Sequence, residues 1–173
     1  MGRLNDEIID ELDQEGPRLE FVSLEDEQHE RLKFVGLSFD SLPGCRCRAR
    51  VELERKAGRT TVATAEGPDS GSGKLRTAAL ATIEAITLAV DADHGAFELL
   101  GIKPVKVFDV TAVIVAVGVR YDRTEDRLVG FCVIDEARPL HAAPLAVLNG
   151  TNRFLGAVLV EKISWAKAGV FHR

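Results

Sequence analysis

Aromatic side chains are scarce in this chain. One Trp and one Tyr among 173 residues leave few flat rings on which unpaired bases could stack. An excess of positive charge is also missing. The formal net charge is −5, whereas a protein that displaces counterions from a phosphate backbone needs a basic surface. Both shortages argue against a nucleic-acid partner. No apolar run approaches the roughly 20 residues of a membrane helix. The acidic stretch 1–15 is neither a secretory signal nor an Arg-rich transit peptide. A cytoplasmic protein without a membrane partner is therefore expected.

Cysteine is sparse and odd in number. Cys45, Cys47 and Cys132 read as reduced thiols, and the Cys45-x-Cys47 pair supplies only two of the four ligands that zinc needs. Of His29, His94, His141 and His172, none has a metal or triad spacing, and His141 reads as a surface histidine near a helix start. No G-x-S-x-G elbow and no H-E-x-x-H occur, which removes the commonest hydrolase signatures. Glu52 and Glu54 alternate with basic residues, a pattern of solvated cross-strand pairs and not of a general acid and base. The chain is expected to be no enzyme, with no catalytic residue, metal or cofactor.

What is present is an ordinary globular composition, 46% hydrophobic and 28% charged, in a length that suits one domain or two repeated halves sharing a core. Residues 1–33 form an acidic arm, with Leu4, Ile8, Ile9 and Leu12 at helical spacing until Gly16-Pro17. From Phe34 the pattern changes. Phe34–Phe39 is a short apolar run, and Cys47, Ala49, Val51 and Leu53 then alternate with Arg48, Arg50, Glu52 and Glu54. Such alternation predicts a strand with one buried and one wet face. The polar turn 56–59 leads to a third strand over 60–66. A helix follows over 74–91, with Leu75, Ala79, Ile83, Ile86 and Val90 as its stripe.

The same order recurs. Residues 97–108 read as a strand, bulged at Gly101 or Pro104, followed by strands over 110–121 and 127–134. A second helix starts near Pro144, with Leu145, Leu148, Asn152, Leu155 and Leu159 on one stripe. The polar Asn152 in that stripe should hydrogen-bond, most simply to a loop backbone. Val51–Arg55 takes the place of Val119–Arg123. The fold expected is α+β: duplicated β-β-β-α units over 34–159, halves 34–95 and 96–159. Both helices pack on one side of antiparallel sheets, and 160–173 is a tail. Val113–Val119 and Leu128–Ile134 are apolar on both faces, which an antiparallel sheet with one wet face does not show. A second subunit is the simplest cover, so a homodimer or higher even oligomer is expected, sensitive to Asp at Val115 or Val117.

Between the third strand and the first helix lies Gly67-Pro68-Asp69-Ser70-Gly71-Ser72-Gly73-Lys74. It is no Walker loop: Pro68 and Leu75 replace required residues, and the hairpin-then-helix context differs. Two readings remain. Ser72 caps a helix after a plain loop, or Gly-rich backbone at the helix start binds a small anionic or zwitterionic molecule with help from Lys74 or Arg76.

Three pieces carry a family resemblance: Glu66-Gly67-Pro68-Asp69, Glu98-Leu99-Leu100 with Val105, and Ala146-Val147-Leu148-Asn149 with Asn152-Arg153. Over roughly 34–155 the chain resembles the C-terminal regulatory domain of the 2-isopropylmalate synthase and citramalate synthase family. The resemblance implies two β-β-β-α units and an amino acid or small carboxylate bound between paired domains, here without the catalytic barrel. The function expected is a free-standing small-molecule-binding or regulatory domain acting as a homo-oligomer. The alternative is a structural or assembly protein.

Overall fold

A computed structural model of the chain describes residues 31–55, 58–90, 95–121 and 124–167. Most of the acidic arm and the end of the C-terminal tail lie outside the described residues. The order is three strands and a helix, twice: β1 (Lys33–Leu42), β2 (Arg46–Glu54), β3 (Thr60–Pro68), α1 (Gly71–Val90), then β4 (Ala96–Val107), β5 (Val110–Tyr121), β6 (Thr124–Val133) and α2 (Ala142–Lys167), the last preceded by a 3-10 turn, Pro139–His141. Each trio is an antiparallel sheet with its second strand in the centre. The duplicated α+β architecture is therefore present. Among the described residues no helix is long and apolar enough to cross a membrane.

Alternation decides the inner faces. Cys47, Ala49, Val51 and Leu53 of β2 are buried, as are Val113, Val115, Val117 and Val119 of β5. Ala49, Val51 and Leu53 and the four β5 valines join the helices in one continuous core, where burying each Val, Leu or Ile contributes about 1.5–3 kcal/mol. Helix α1 lies on β2 and β3 and also touches β4, while α2 lies on β5 and β6 and also touches β1. The first strand of each half carries one bulge, at Val35 and at Leu100. The second falls beside Gly101, one of the two positions that the sequence suggests.

The α1 stripe faces inward as expected, and so do Leu148 and Leu155 of α2, but other α2 positions differ. In α2 the buried residues include Ala143, Ala146, Val147, Thr151 and Leu155, whereas Leu145 is 39% exposed and Asn152 half-buried. The reason is close approach. A Cβ on Gly130 of β6 would strike the Ala146 carbonyl oxygen and the Gly150 backbone, so α2 turns its small residues to the sheet and its larger Leu145 outward. The side chain of Leu159 lies outside the described residues, and α2 itself continues to Lys167, past the boundary at 159. Thr77, Thr82 and Thr151, all buried, donate to the carbonyls of Gly73, Ala78 and Val147, which removes the cost of an unsatisfied hydroxyl.

Candidate functional site

The Gly67–Lys74 segment is a strand end joined to a helix start. Gly67 and Pro68 still pair with Cys47 and Arg46 in the sheet, and the Asp69 N–H donates to the Cys45 carbonyl at 2.8 Å. Helix α1 starts at Gly71, three residues before the expected Lys74. Its cap is Ser70, not Ser72: the Gly73 N–H donates to Ser70 Oγ at 3.1 Å, and the Lys74 N–H to the Ser70 carbonyl at 2.7 Å. That is the N-cap arrangement in which a serine hydroxyl accepts from the third helical residue.

Two of the glycines have packing reasons. A Cβ on Gly67 would strike Thr77 Oγ1, and one on Gly73 would strike the Pro68 carbonyl oxygen. The charge at Lys74 is also engaged. Its Nζ lies 2.7 Å from Asp69 Oδ1 and 6.0 Å from the centre of the Phe39 ring. The Asp69 hydrogen bond holds the Lys74 ammonium above its ordinary pKa. The structure thus brings Asp69, Ser70, Gly73 and Lys74 together through contacts with one another, while Gly71 and Ser72 stand exposed at the first turn.

The two sheets differ sharply on their outer faces. On β2, Arg46 and Arg48 reach across to Glu66 of β3 at 2.9 and 2.6 Å, and the hydrogen bond from Arg48 is the main cause holding the Glu66 carboxyl below its ordinary range. Glu52 lies 3.9 Å from Arg50 on its own strand, so the cross-strand partner of the arginines is Glu66. The outer face of β4–β6 is mostly apolar instead, with the exposed Lys103 beside Ile114 as a charged exception. Register places Val107 beside Val110, Ile114 beside Phe131, Ala116 beside Val129 and Ala112 beside Val133. Val129 is 63% exposed and Phe131 61%. At the β4–β5 turn Phe108 is 91% exposed with φ +52°, a left-handed conformation that is an outlier for a bulky side chain. Val115 and Val117 point the other way, into the core.

A cavity of about 210 Å³ lies between β1 and the 3-10 turn, where the two halves meet, lined by Leu37, Ser38, Phe39 and residues 138–141. His141 is half-buried and meets Phe34 edge to face at 5.2 Å. It is not the plain surface residue that its position suggests. The sequence signal missed here is Arg138-Pro139-Leu140-His141, a cation, a rigid turn and a ring just before a helix. Asn152 and Asn149 have structural partners. Asn152 exchanges two 3.0 Å hydrogen bonds with the backbone of Leu32, and Asn149 Oδ1 accepts from the Phe131 N–H on edge strand β6 at 3.3 Å.

Among the described residues no cluster of three or more His, Cys, Asp or Glu side chains is placed to hold a metal ion. Burial pushes the Cys132 thiol pKa up, away from the thiolate character that a nucleophile needs. No protein-family model matches the chain, and no curated protein matches its sequence.

Proposed function

We propose that this protein is a self-associating binding module that works as a homodimer, the outer face of β4–β6 of one copy covering the same face of the next. The observation that carries this reading is the exposed, mostly apolar outer face of that sheet among the described residues. Val110, Ile114, Val129, Phe131 and Val133 are all more than a third exposed there, with Leu100 and Val107 beside them, and a contiguous exposed apolar face of this kind marks an interaction surface.

The occupant suggested by the rim is a second copy. Glu98, Glu125, Arg120 and Arg127 share the outer face at one end of the sheet, and a rim of both signs can complement itself across a two-fold axis. The left-handed, exposed Phe108 is consistent with an anchor whose strain is offset on association.

Sedimentation equilibrium tests this. Wild type should have the mass of a dimer, and Phe131→Asp, on an exposed position, should be a folded monomer by circular dichroism. A wild-type monomer that associates only when residues 1–30 are deleted would assign the cover to this chain's own arm and sink the dimer reading.

A further inference from the structure

We propose that the cavity between β1 and the 3-10 turn binds a short-chain aliphatic monocarboxylate, its carboxylate held by Arg138 and its tail by Leu37, Phe39, Pro139 and Leu140. This goes beyond dimer formation and does not depend on it, since no outer-face residue of β4–β6 lines that cavity.

Size sets the class first. At 210 Å³ the hollow holds about seven to ten non-hydrogen atoms at ~20–30 Å³ each, below the range of drug-sized pockets. Its walls are mainly apolar. Leu37 and Phe39 are half-buried on the inner side of edge strand β1, and Pro139 and Leu140 close it from the second half of the chain. Apolar walls with one cationic group select an amphipathic anion: a hydrocarbon tail for the walls and a charge-assisted, two-pronged contact for the guanidinium.

Arg138 is presented by a fixed turn. The Ala137 N–H donates to Asp135 Oδ1 at 3.0 Å and the Arg138 N–H to the Asp135 carbonyl oxygen at 3.0 Å. Its Nε leans on Asp135 Oδ2 at a long 3.4 Å. Among the described residues no hydrogen bond or ion pair engages its terminal nitrogens, so a carboxylate can take them as a fork. A second hollow of about 140 Å³ lies on the other side of Arg138 and His141, and Asp135 lines it. Beyond Arg138 the walls of the first hollow are mainly apolar and would leave a second negative charge desolvated, so a monocarboxylate is favoured over a dicarboxylate. His141, wedged against Phe34, forms a flat wall between the two hollows.

The test is calorimetric titration of the full chain with hexanoate, hexanamide, acetate and adipate. Hexanoate should bind about tenfold or more tightly than any of the other three, the size of one lost charge-assisted contact or of a lost apolar tail. Arg138→Gln, at an exposed position, should bring hexanoate down to the level of hexanamide, and Leu37→Trp should weaken both by filling the hollow. The Phe131→Asp variant should bind hexanoate as wild type does, which separates this inference from the dimer. Absence of hexanoate binding, equal binding of acid and amide, or an Arg138→Gln variant that binds like wild type would each overturn it.

Discussion

Gly67→Ala separates a glycine kept for packing from one kept to expose backbone to a ligand. The added Cβ would strike Thr77 Oγ1, and that hydroxyl is held by its bond to the Gly73 carbonyl at 2.8 Å in a side chain only 1% exposed. Overpacking of this kind costs about 1–3 kcal/mol, offset by about 0.4–1 kcal/mol from a less flexible unfolded chain. The net expectation is a loss of about 1–2 kcal/mol. Thr77→Ala alone loses a net hydrogen bond of about 0.5–1.5 kcal/mol and a methyl group. In the double variant the clash is gone, because the new Cβ meets Thr77 Cβ at an ordinary 3.4 Å. Alanine at 67 should then be neutral or stabilising, a coupling of about 1–3 kcal/mol. Urea denaturation at one fixed protein concentration measures all four corners of the cycle. If Gly67→Ala costs the same in both backgrounds to within about 0.5 kcal/mol, the packing argument for this glycine is refuted.

Other consequences are equally open to measurement. Gly130→Ala places a methyl against the α2 backbone, which cannot rotate away as a side chain can. It should cost about 2–3 kcal/mol, while Gly36→Ala, with nothing within 4 Å, should stay within about 0.5 kcal/mol of wild type. Asn152→Ala removes both bonds to Leu32 and should cost about 1–3 kcal/mol, with faster amide exchange at Leu32 as its local signature. Because the folded pKa of Glu66 lies below its ordinary value of 4.5, its contribution to stability is present above that value and lost as pH falls through the folded one. An NMR titration should show a depressed midpoint that rises in Arg48→Gln. Lys74 runs the other way: its raised pKa gives a contribution that is whole below 10.5 and lost as pH rises through the folded value, and Asp69→Asn should remove that shift.

The strands were legible because period two is a local property. Cys47 to Leu53 announces its own inner face, and 110–121 matches β5 to the residue. Where both faces are apolar the alternation loses its phase, so Val115 and Val117 look as suited to an interface as Ile114, although only the helices decide which set is inside. The α2 stripe was hidden for a different reason. Close approach at Gly130 and Gly150 admits small residues such as Ala146 to the inner face, so Leu145 is a misleading marker although Leu148 and Leu155 mark it correctly. The Gly67–Lys74 segment is visible as a strand-to-helix junction, but its cap depends on where α1 begins, and Ser70 and Ser72 are equivalent on paper. The cavity could not be read at all. Its walls come from Leu37 and Phe39 and from residues about 100 positions later, and no local pattern joins them.

The divergence of the two halves bears on how association would end. Duplication supplies two sheets with two outer faces, and if both were apolar, each chain could recruit a neighbour on either side and grow without limit. Here the outer face of β1–β3 carries Arg46 and Arg48 locked onto Glu66, with Asp40 opposite Arg48 and Ser38 opposite Arg50. Desolvating those charges would cost more than exposed pairs return. The β4–β6 face, apolar apart from Lys103 and the charges at one end, is the one of the two that would gain from burial. A chain with one adhesive face and one wet face closes when two copies meet face to face, because neither then has apolar sheet left to offer. Within the proposed association a dimer would be reached before any higher even oligomer, and the charged first half would stop growth.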